Sequence, residues 1–322
     1  MTGAAGERIL AYQHGIQPRS EAVVAATRGL ERGRVTPDEV DTAFERDLEA
    51  VVGTQREAGL DLVSDGMLRW QDLYRPLVDA TAGLEARGLV RWFDNNAFFR
   101  APVVVGPLEL DPDALARVLQ PVPSPRLVCL PSPYLFSRVV DAPGDRAALM
   151  GEIARHVLRP AITRLVADGV GLVHLQEPWL AAFGIDEDDW SSFEAALLEL
   201  REAAPAGRVT LVLHTFFGDV TPHLDRLRSL PVDVVGVDLV ETDIGALGTW
   251  RGDVLLGCLD GRSSIRERAD DVARLARPIV ERVAPATVYM SSTCDLELLP
   301  ADVAAGKIRT LGDVARRLRE DA

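Results

Sequence analysis

The chain has 322 residues, 47% hydrophobic and 26% charged, a balance that excludes intrinsic disorder as its main character and fits an ordinary globular protein. Its 35 basic and 49 acidic residues leave a formal net charge of −14, which excludes a general nucleic-acid or anionic-membrane binder, since either needs a basic surface. Three scattered cysteines, Cys129, Cys258 and Cys294, are too few for a disulfide framework and point to a reducing compartment.

The opening MTGAAGERILAYQ lacks the basic region and apolar stretch of a signal peptide. No window approaches the ~18 consecutive apolar residues of a membrane span. A soluble, cytoplasmic protein without membrane partners is expected. In chain order, the first strand is expected at Ile9–His14. A helix follows from Thr36 to Glu57, where Thr36-Pro37-Asp38-Glu39 carries a capping-box signal with proline at the first helical position. The second strand is expected at Leu60–Asp65, and Ala82–Gly106 then breaks the alternation as an inserted hairpin. Further strands are expected at Arg126–Pro131, Gly171–Glu177, Arg208–His214, Val232–Leu239, Val254–Asp260 and Thr287–Cys294. Several, such as VTLVLH and VDVVGVDLV, are nearly continuous apolar runs, as in strands buried on both faces of a parallel sheet. Helical periodicity fills Asp145–Ala167, Asp186–Ala203 and Ser264–Val283.

Eight strands, most followed by a helix, predict an α/β fold, a (β/α)8 TIM barrel forming a single domain over residues 1–322. A doubly wound open sheet is the alternative, but no strand is followed by a G-x-G-x-x-G fingerprint. In such a barrel the active site lies at the carboxyl ends of the strands. Those ends hold His14, Asp65, Glu177, His214, Asp238, Asp260 and Cys294, while the strand interiors are mostly apolar. Each has a plainer reading: His214 as a core histidine, Asp238 and Asp260 as helix caps, Cys294 as a small buried hydrophobe. Glu177, ahead of Pro178, is harder to dismiss, because a carboxylate at a barrel mouth needs solvent, a partner or a ligand. Cys129 and Cys258 read as core residues, and His156, His174 and His223 as structural or solvated. His214, Asp238 and Cys294 together offer nitrogen, oxygen and sulfur donors, a chemically sensible catalytic zinc set, although no C-x-x-C or H-x-x-x-H cluster supports it.

The strand ends and their flanks resemble cobalamin-independent methionine synthase over nearly the whole chain. The resemblance rests on GIQPRS, QREAGLDLVSDG, RWFDNNAFFRAPVVVG, LQEPWL, HTFFGDVTPHLDRLRSLPVDVVGVDLV, LDGRSSIRERAD and SSTCDLELLP, in that order. That family uses two (β/α)8 barrels to move a methyl group from a methylated folate to homocysteine, and this chain has the length of one. The family's catalytic barrel holds zinc through His-x-Cys, Glu and Cys. Here Phe216 stands at the first cysteine position, Asp238 at the glutamate position, and only His214 and Cys294 match directly. FDNN, the TFF run and SSTC are closer to the N-terminal barrel, which holds no zinc.

The resemblance implies a methyl or alkyl transferase acting on a thiol such as homocysteine, with Glu177, His214, Asp238 and Cys294 catalytic and zinc on His214, Asp238 and Cys294. The substrate-side set is His14, Arg19, Ser20, Asp65, Arg69, Trp70, Asp72, Asn95, Asn96, Arg100, Trp179 and Phe217. Glu177 and Asp65 are expected to orient the acceptor, Trp70, Trp179 and Phe217 to face a flat methyl donor, and Asn95, Asn96 and Arg100 to form a lid. The donor is a methylated folate or a methyl-corrinoid, and the partners are small-molecule substrates, with a second barrel subunit or a corrinoid protein also open. The alternatives are a zinc-free folate- or pterin-binding barrel, or the partner subunit of a separate catalytic barrel. A third is decarboxylation of the uroporphyrinogen decarboxylase type with Arg19, Arg69 and Arg100 holding substrate carboxylates.

Overall fold

The structure, a computed structural model, describes residues 9–283 and 286–320. Its strands are β1 (Ile9–Ala11), β2 (Thr81–Arg91), β3 (Phe98–Leu110), β4 (Leu127–Pro131), β5 (Leu172–Gln176), β6 (Thr210–His214), β7 (Val234–Asp238), β8 (Val254–Leu259) and β9 (Val288–Ser292). Seven form one parallel sheet in the order β1-β9-β8-β7-β6-β5-β4, which curls until its two ends face each other. Residues 61–63 bridge the gap. Asp61 N–H donates to Ala11 O of β1 (2.8 Å), Val63 N–H to Pro125 O (3.0 Å), and Leu127 N–H of β4 to Val63 O (3.1 Å). The eight-stranded barrel expected from the sequence is thereby closed. The helices lie outside, and the strand residues facing them and the lumen are almost all buried.

The second barrel strand, expected over Leu60–Asp65, is reduced to a single parallel bridge between Val63 and Arg126. The cause is a side chain that takes the place of a ladder partner. Gln55, buried near the end of the helix Pro37–Glu57, donates from Nε2 to Ser64 O (2.9 Å) and accepts from Ser64 N–H at Oε1 (3.0 Å). Backbone groups so satisfied have no need of a neighbouring strand. At the start of that helix the capping box forms as predicted: Glu39 N–H donates to Thr36 Oγ1 (3.3 Å) and Thr36 N–H to Glu39 Oε2 (2.7 Å). The helical stretch Asp145–Ala167 departs from expectation in one detail, a π-helical turn at Ala154–Leu158 between two α-helical segments.

β2 and β3 pair antiparallel as a long hairpin outside the barrel. Its inner face, including Leu84, Phe99, Leu108 and Leu110, packs into the main core, which fixes the hairpin against the body. The register breaks between Ala82 and Leu84, where Gly83 sits at φ +82° and a Cβ would meet Pro107 O at 2.2 Å. Only glycine fits that close approach.

Replacing Gln55 with leucine is expected to orphan both backbone groups of Ser64, costing about 2–6 kcal/mol of unfolding free energy at ~1–3 kcal/mol per buried orphan. Urea denaturation measures it, and an unchanged midpoint would show that Ser64 finds other partners.

Candidate active site at the barrel mouth

The seam between the first and last strands shapes the mouth. Gly15, just beyond β1, adopts φ +74°, and a Cβ there would come within 1.6 Å of Asp295 Oδ1. The glycine leaves the space that Asp295 fills. Gln176, at the end of β5, donates from Nε2 to the same Asp295 oxygen (2.5 Å). Two residues on, Glu297 lies near Arg19 and Asp72. Burial raises Asp295 and Glu297 above the ordinary carboxylate range, and Asp295 raises Glu297 further by like-charge repulsion. Both line a small recess with Ile16, Tyr74, Trp92 and Phe99. The sequence reading missed both acids, because they lie past the last strand rather than at its end.

The hairpin reaches across this mouth. At its tip Phe93 (φ +51°) stacks on Phe183 with centroids 5.5 Å apart, and meets Phe217 edge-on at 5.3 Å and Trp179 at 6.2 Å. Asp94 pairs with Arg262 (3.6 Å), whose guanidinium lies 5.0 Å above the Phe217 ring. Between hairpin and body lies a cleft of about 310 Å³ lined by Trp92, Phe93, Phe99, Arg138, Trp179 and Phe183. Trp179 and Phe217 border the mouth against the hairpin tip. The tip meets the body through Phe93 and Asp94, while Asn95, Asn96 and Arg100, expected to form a lid, are engaged within the hairpin or exposed. Asn95 O accepts from Arg91 Nε (2.8 Å) within the turn, Asn96 is exposed, and exposed Arg100 donates to Arg87 O (3.1 Å) within the hairpin.

Several predicted residues are held by local structure. Glu177 is fully buried and caps the helix Pro178–Phe183 through Leu180 N–H (2.9 Å), while its second oxygen accepts from Leu135 N–H (3.1 Å) and Ser132 Oγ at the start of the helix Pro133–Val139. Both oxygens are engaged, so it does not face an acceptor. Asp65 accepts from Met67 N–H (2.9 Å) and Gln120 N–H (3.0 Å), and Asp72 from Tyr74 and Arg75 N–H (2.8 Å each) and Arg100 N–H (3.3 Å). Ser20 caps the helix Glu21–Glu31. Arg69 pairs with Asp41 (2.8 Å) and stacks on Phe44, away from the mouth. Trp70 is core, and Arg19 donates to its carbonyl.

The metal set expected at the rim does not assemble. Among the described residues, the one trio of His, Cys, Asp or Glu with ligand atoms within 4.8 Å of one another is His14, His174 and His214. Asp238 accepts from Val240 N–H (2.8 Å), and burial pushes its carboxyl up to about 6. Burial drives the Cys294 thiol well above its ordinary value, and its Sγ lies 3.5 Å from Asp295 O. Phe216 fills the family cysteine position with a ring 5.4 Å from His214. The rim residues therefore do not fit the family's zinc. His14, expected to meet substrate, and His174, expected to be merely structural, lie together inside the barrel, with ring centroids 4.2 Å apart. The signal for His174 was a polar residue alone in an apolar strand, two positions before Gln176 and so on the same face.

This architecture is a (β/α)8 barrel whose mouth is bordered by aromatic and acidic side chains. Residues 81–284 match the family model described as cobalamin-independent synthase, N-terminal domain, and the chain belongs to that family. It is 25% identical over 306 residues to the methionine synthase of Sulfolobus acidocaldarius, covering 91% of this chain and 87% of that protein. It is 29% identical over 248 residues to the 5-methyltetrahydropteroyltriglutamate–homocysteine methyltransferase of Herpetosiphon aurantiacus, covering 72% of this chain but 32% of that longer protein. Among solved structures, a B12-independent methionine synthase from Shewanella sp. W3-18-1 in complex with selenomethionine superimposes with a TM-score of 0.77 at 20% identity, over 97% of this chain and 98% of that one. A methyltransferase from Methanosarcina mazei superimposes with a TM-score of 0.54 at 14% identity. Both likenesses concern the fold. No helix among the described residues is long and apolar enough to cross a membrane.

The raised carboxyls give stability a definite pH dependence. Burial lifts Glu177 to about 7. A carboxyl raised on folding contributes its stability in full below its unfolded value, ~4.3, and loses it as pH rises through the folded value. For Glu177 that loss is about 4 kcal/mol between the two. Unfolding free energy is therefore expected to fall between pH 5 and pH 8, and to fall less in Glu177→Gln. Equal pH dependence in the two proteins would show that this carboxyl does not titrate in that window.

Proposed function

We propose that the chain transfers a methyl group from a reduced, methylated pterin to the sulfur of a small amino-acid thiol, the reaction type of its methionine synthase relatives, with one barrel as the catalytic unit. The observation that carries the reading is the tethered hairpin. Phe93, Trp179, Phe183 and Phe217 present aromatic faces around the mouth, and Arg262 and Asp94 hold the tip in place. A pterin is flat and suits such faces. The acceptor's ammonium group is assigned to Glu297 and its carboxylate to Arg19, which replace Glu177 and Asp65 in the orienting role, while Asp295 faces the thiol.

In the proposed step the thiol gives its proton to Asp295, which burial raises to about 7, suiting a base working near neutral pH. The sulfur then attacks the methyl carbon, the carbon–nitrogen pair stays on the pterin nitrogen, and that nitrogen takes up the proton released by Asp295 as the demethylated pterin leaves. Alignment of two bound partners supplies much of the acceleration in such transfers, up to ~7–11 kcal/mol in favourable cases. Expulsion of water beneath the hairpin strengthens the electrostatic contacts inside.

Phe216 at the family's cysteine position and the match to an N-terminal domain model favour a second reading, a pterin-binding barrel that serves a separate catalytic barrel. Incubation with methyl-labelled 5-methyltetrahydrofolate and homocysteine, with mass spectrometry of the product, separates the two. Labelled methionine supports transfer, tight pterin binding without product supports the partner barrel, and turnover only with a methyl-corrinoid would replace the pterin as donor.

The lid assignment has its own test. Phe93→Ala is expected to raise the Michaelis constant for the methyl donor about tenfold, the equivalent of ~1.4 kcal/mol of lost ring contact, with less effect on that for the thiol. Equal effects on both substrates would remove Phe93 from the donor site.

A further inference from the structure

The barrel holds a second set of functional groups that the proposed methyl transfer does not use. His14, His174 and His214 come from the segment just after β1, from β5 and from β6, and all three are fully buried. His214 meets the other two rings edge-on, with centroids 5.0 and 5.2 Å away. Four ring nitrogens in this cluster, Nε2 of His14, Nε2 of His174 and both nitrogens of His214, have no hydrogen-bond partner. Native interiors rarely tolerate such orphans, and their convergence in one place calls for something that binds them together.

The remaining nitrogens are oriented from outside. His14 Nδ1 lies 2.8 Å from Ser291 Oγ, and His174 Nδ1 lies 2.9 Å from the Tyr12 hydroxyl. With Nδ1–H donating to the hydroxyl in each case, Nε2 carries the free lone pair, the arrangement of a histidine prepared to ligate. Burial keeps the imidazoles neutral, with His14 lowered to about 3 and the other two well below the usual value. Glycines make room for the third ring: a Cβ on Gly236 would meet His214 Cδ2 at 2.6 Å, and one on Gly257 would meet Nε2 at 3.1 Å.

We infer that His14, His174 and His214 form a three-imidazole site for a divalent transition ion of the zinc, cobalt or nickel type, separate from the rim residues Asp238 and Cys294. Three nitrogens with an open fourth position are a recognised zinc donor set, and ions of this group favour imidazole. The ligand atoms lie within 4.8 Å of one another. At zinc–nitrogen bonds of ~2.0–2.1 Å they draw together by about 1.5 Å. His14 and His174, whose planes are 10° from parallel, turn out of their stack so that both lone pairs aim at one point. The inference stands on this cluster alone and does not depend on the methyl-transfer reading.

The test uses the full-length protein, purified without chelator and analysed for metal, then stripped and reloaded with zinc or cobalt. About one equivalent of metal is expected, bound at least 100-fold more weakly by His174→Ala and unchanged in Asp238→Asn and Cys294→Ser. Tyr12→Phe removes the outer partner of His174 and is expected to weaken binding about 10–100-fold. The cobalt form of the wild-type protein is expected to show visible ligand-field bands without the intense near-ultraviolet sulfur-to-cobalt charge transfer, a readout that holds even where His174→Ala fails to fold. Less than a tenth of an equivalent of metal with no zinc-induced rise in melting temperature overturns the inference. So does metal that survives His174→Ala, metal that leaves with Cys294→Ser, or a thiolate charge-transfer band in the cobalt form.

Discussion

The approach of Asp295 to Gly15 is the contact on which the mouth depends. It joins the segment after the first strand to the segment after the last, with a separation that no side chain on residue 15 would permit. Through Gln176 the same carboxylate is tied to the end of β5, on the far side of the barrel opening. One acid thus spans the lumen, and its own solvation is replaced by an amide and the backbone near Ile16. Replacing water in this way raises the cost of ionisation, so the positional role of Asp295 and its raised proton affinity have the same origin.

The same physics explains why strand-end acids in one barrel have such different roles. Glu177 faces two helix N-termini, whose free N–H groups bind a carboxylate well, so its oxygens are engaged within the fold. Asp65 and Asp72 are likewise taken up by nearby backbone N–H groups. Asp295 and Glu297 have fewer protein donors and border an opening. A carboxylate left partly unpartnered by its own chain is the one available to a ligand. Position at a strand end brings a residue to the right face of the barrel, but the competition for its hydrogen bonds decides what it does there.

That distinction marks how far the sequence could be read. The alternation of apolar runs and helical periodicity reveals the barrel, because burial on both faces of a parallel sheet is written directly into composition. The second strand escapes this logic: Leu60–Asp65 has the right pattern, yet the Gln55 side chain nine residues before Ser64 supplies the partners a strand would have supplied. His174 escapes it for another reason. A lone histidine among Leu and Val is ordinarily a satisfied core residue, and only the closed barrel shows that it faces His14 and His214. Phe93 and Asp94 sit in a hairpin turn whose sequence carries no sign of what lies beneath it. The position of Trp179 and Phe217 at the mouth was legible because they closely follow strand ends, where the fold dictates their direction.

The interior holds two chemical clusters. His14 and His174 stack on each other, with His214 and Tyr12 edge-on to them, while carboxyls gather nearby with Arg19, Gln176 and Arg262. Histidine and carboxylate in contact would ordinarily pair and charge each other. Here the largest influence on each group is burial, which lowers the histidines and raises the acids, so both clusters are driven toward neutrality. That neutrality leaves the barrel able to accept charge from outside, whether as a cation among the imidazoles or as the ammonium group of a substrate at the rim. Each arrival would be felt strongly, because little solvent remains to screen it.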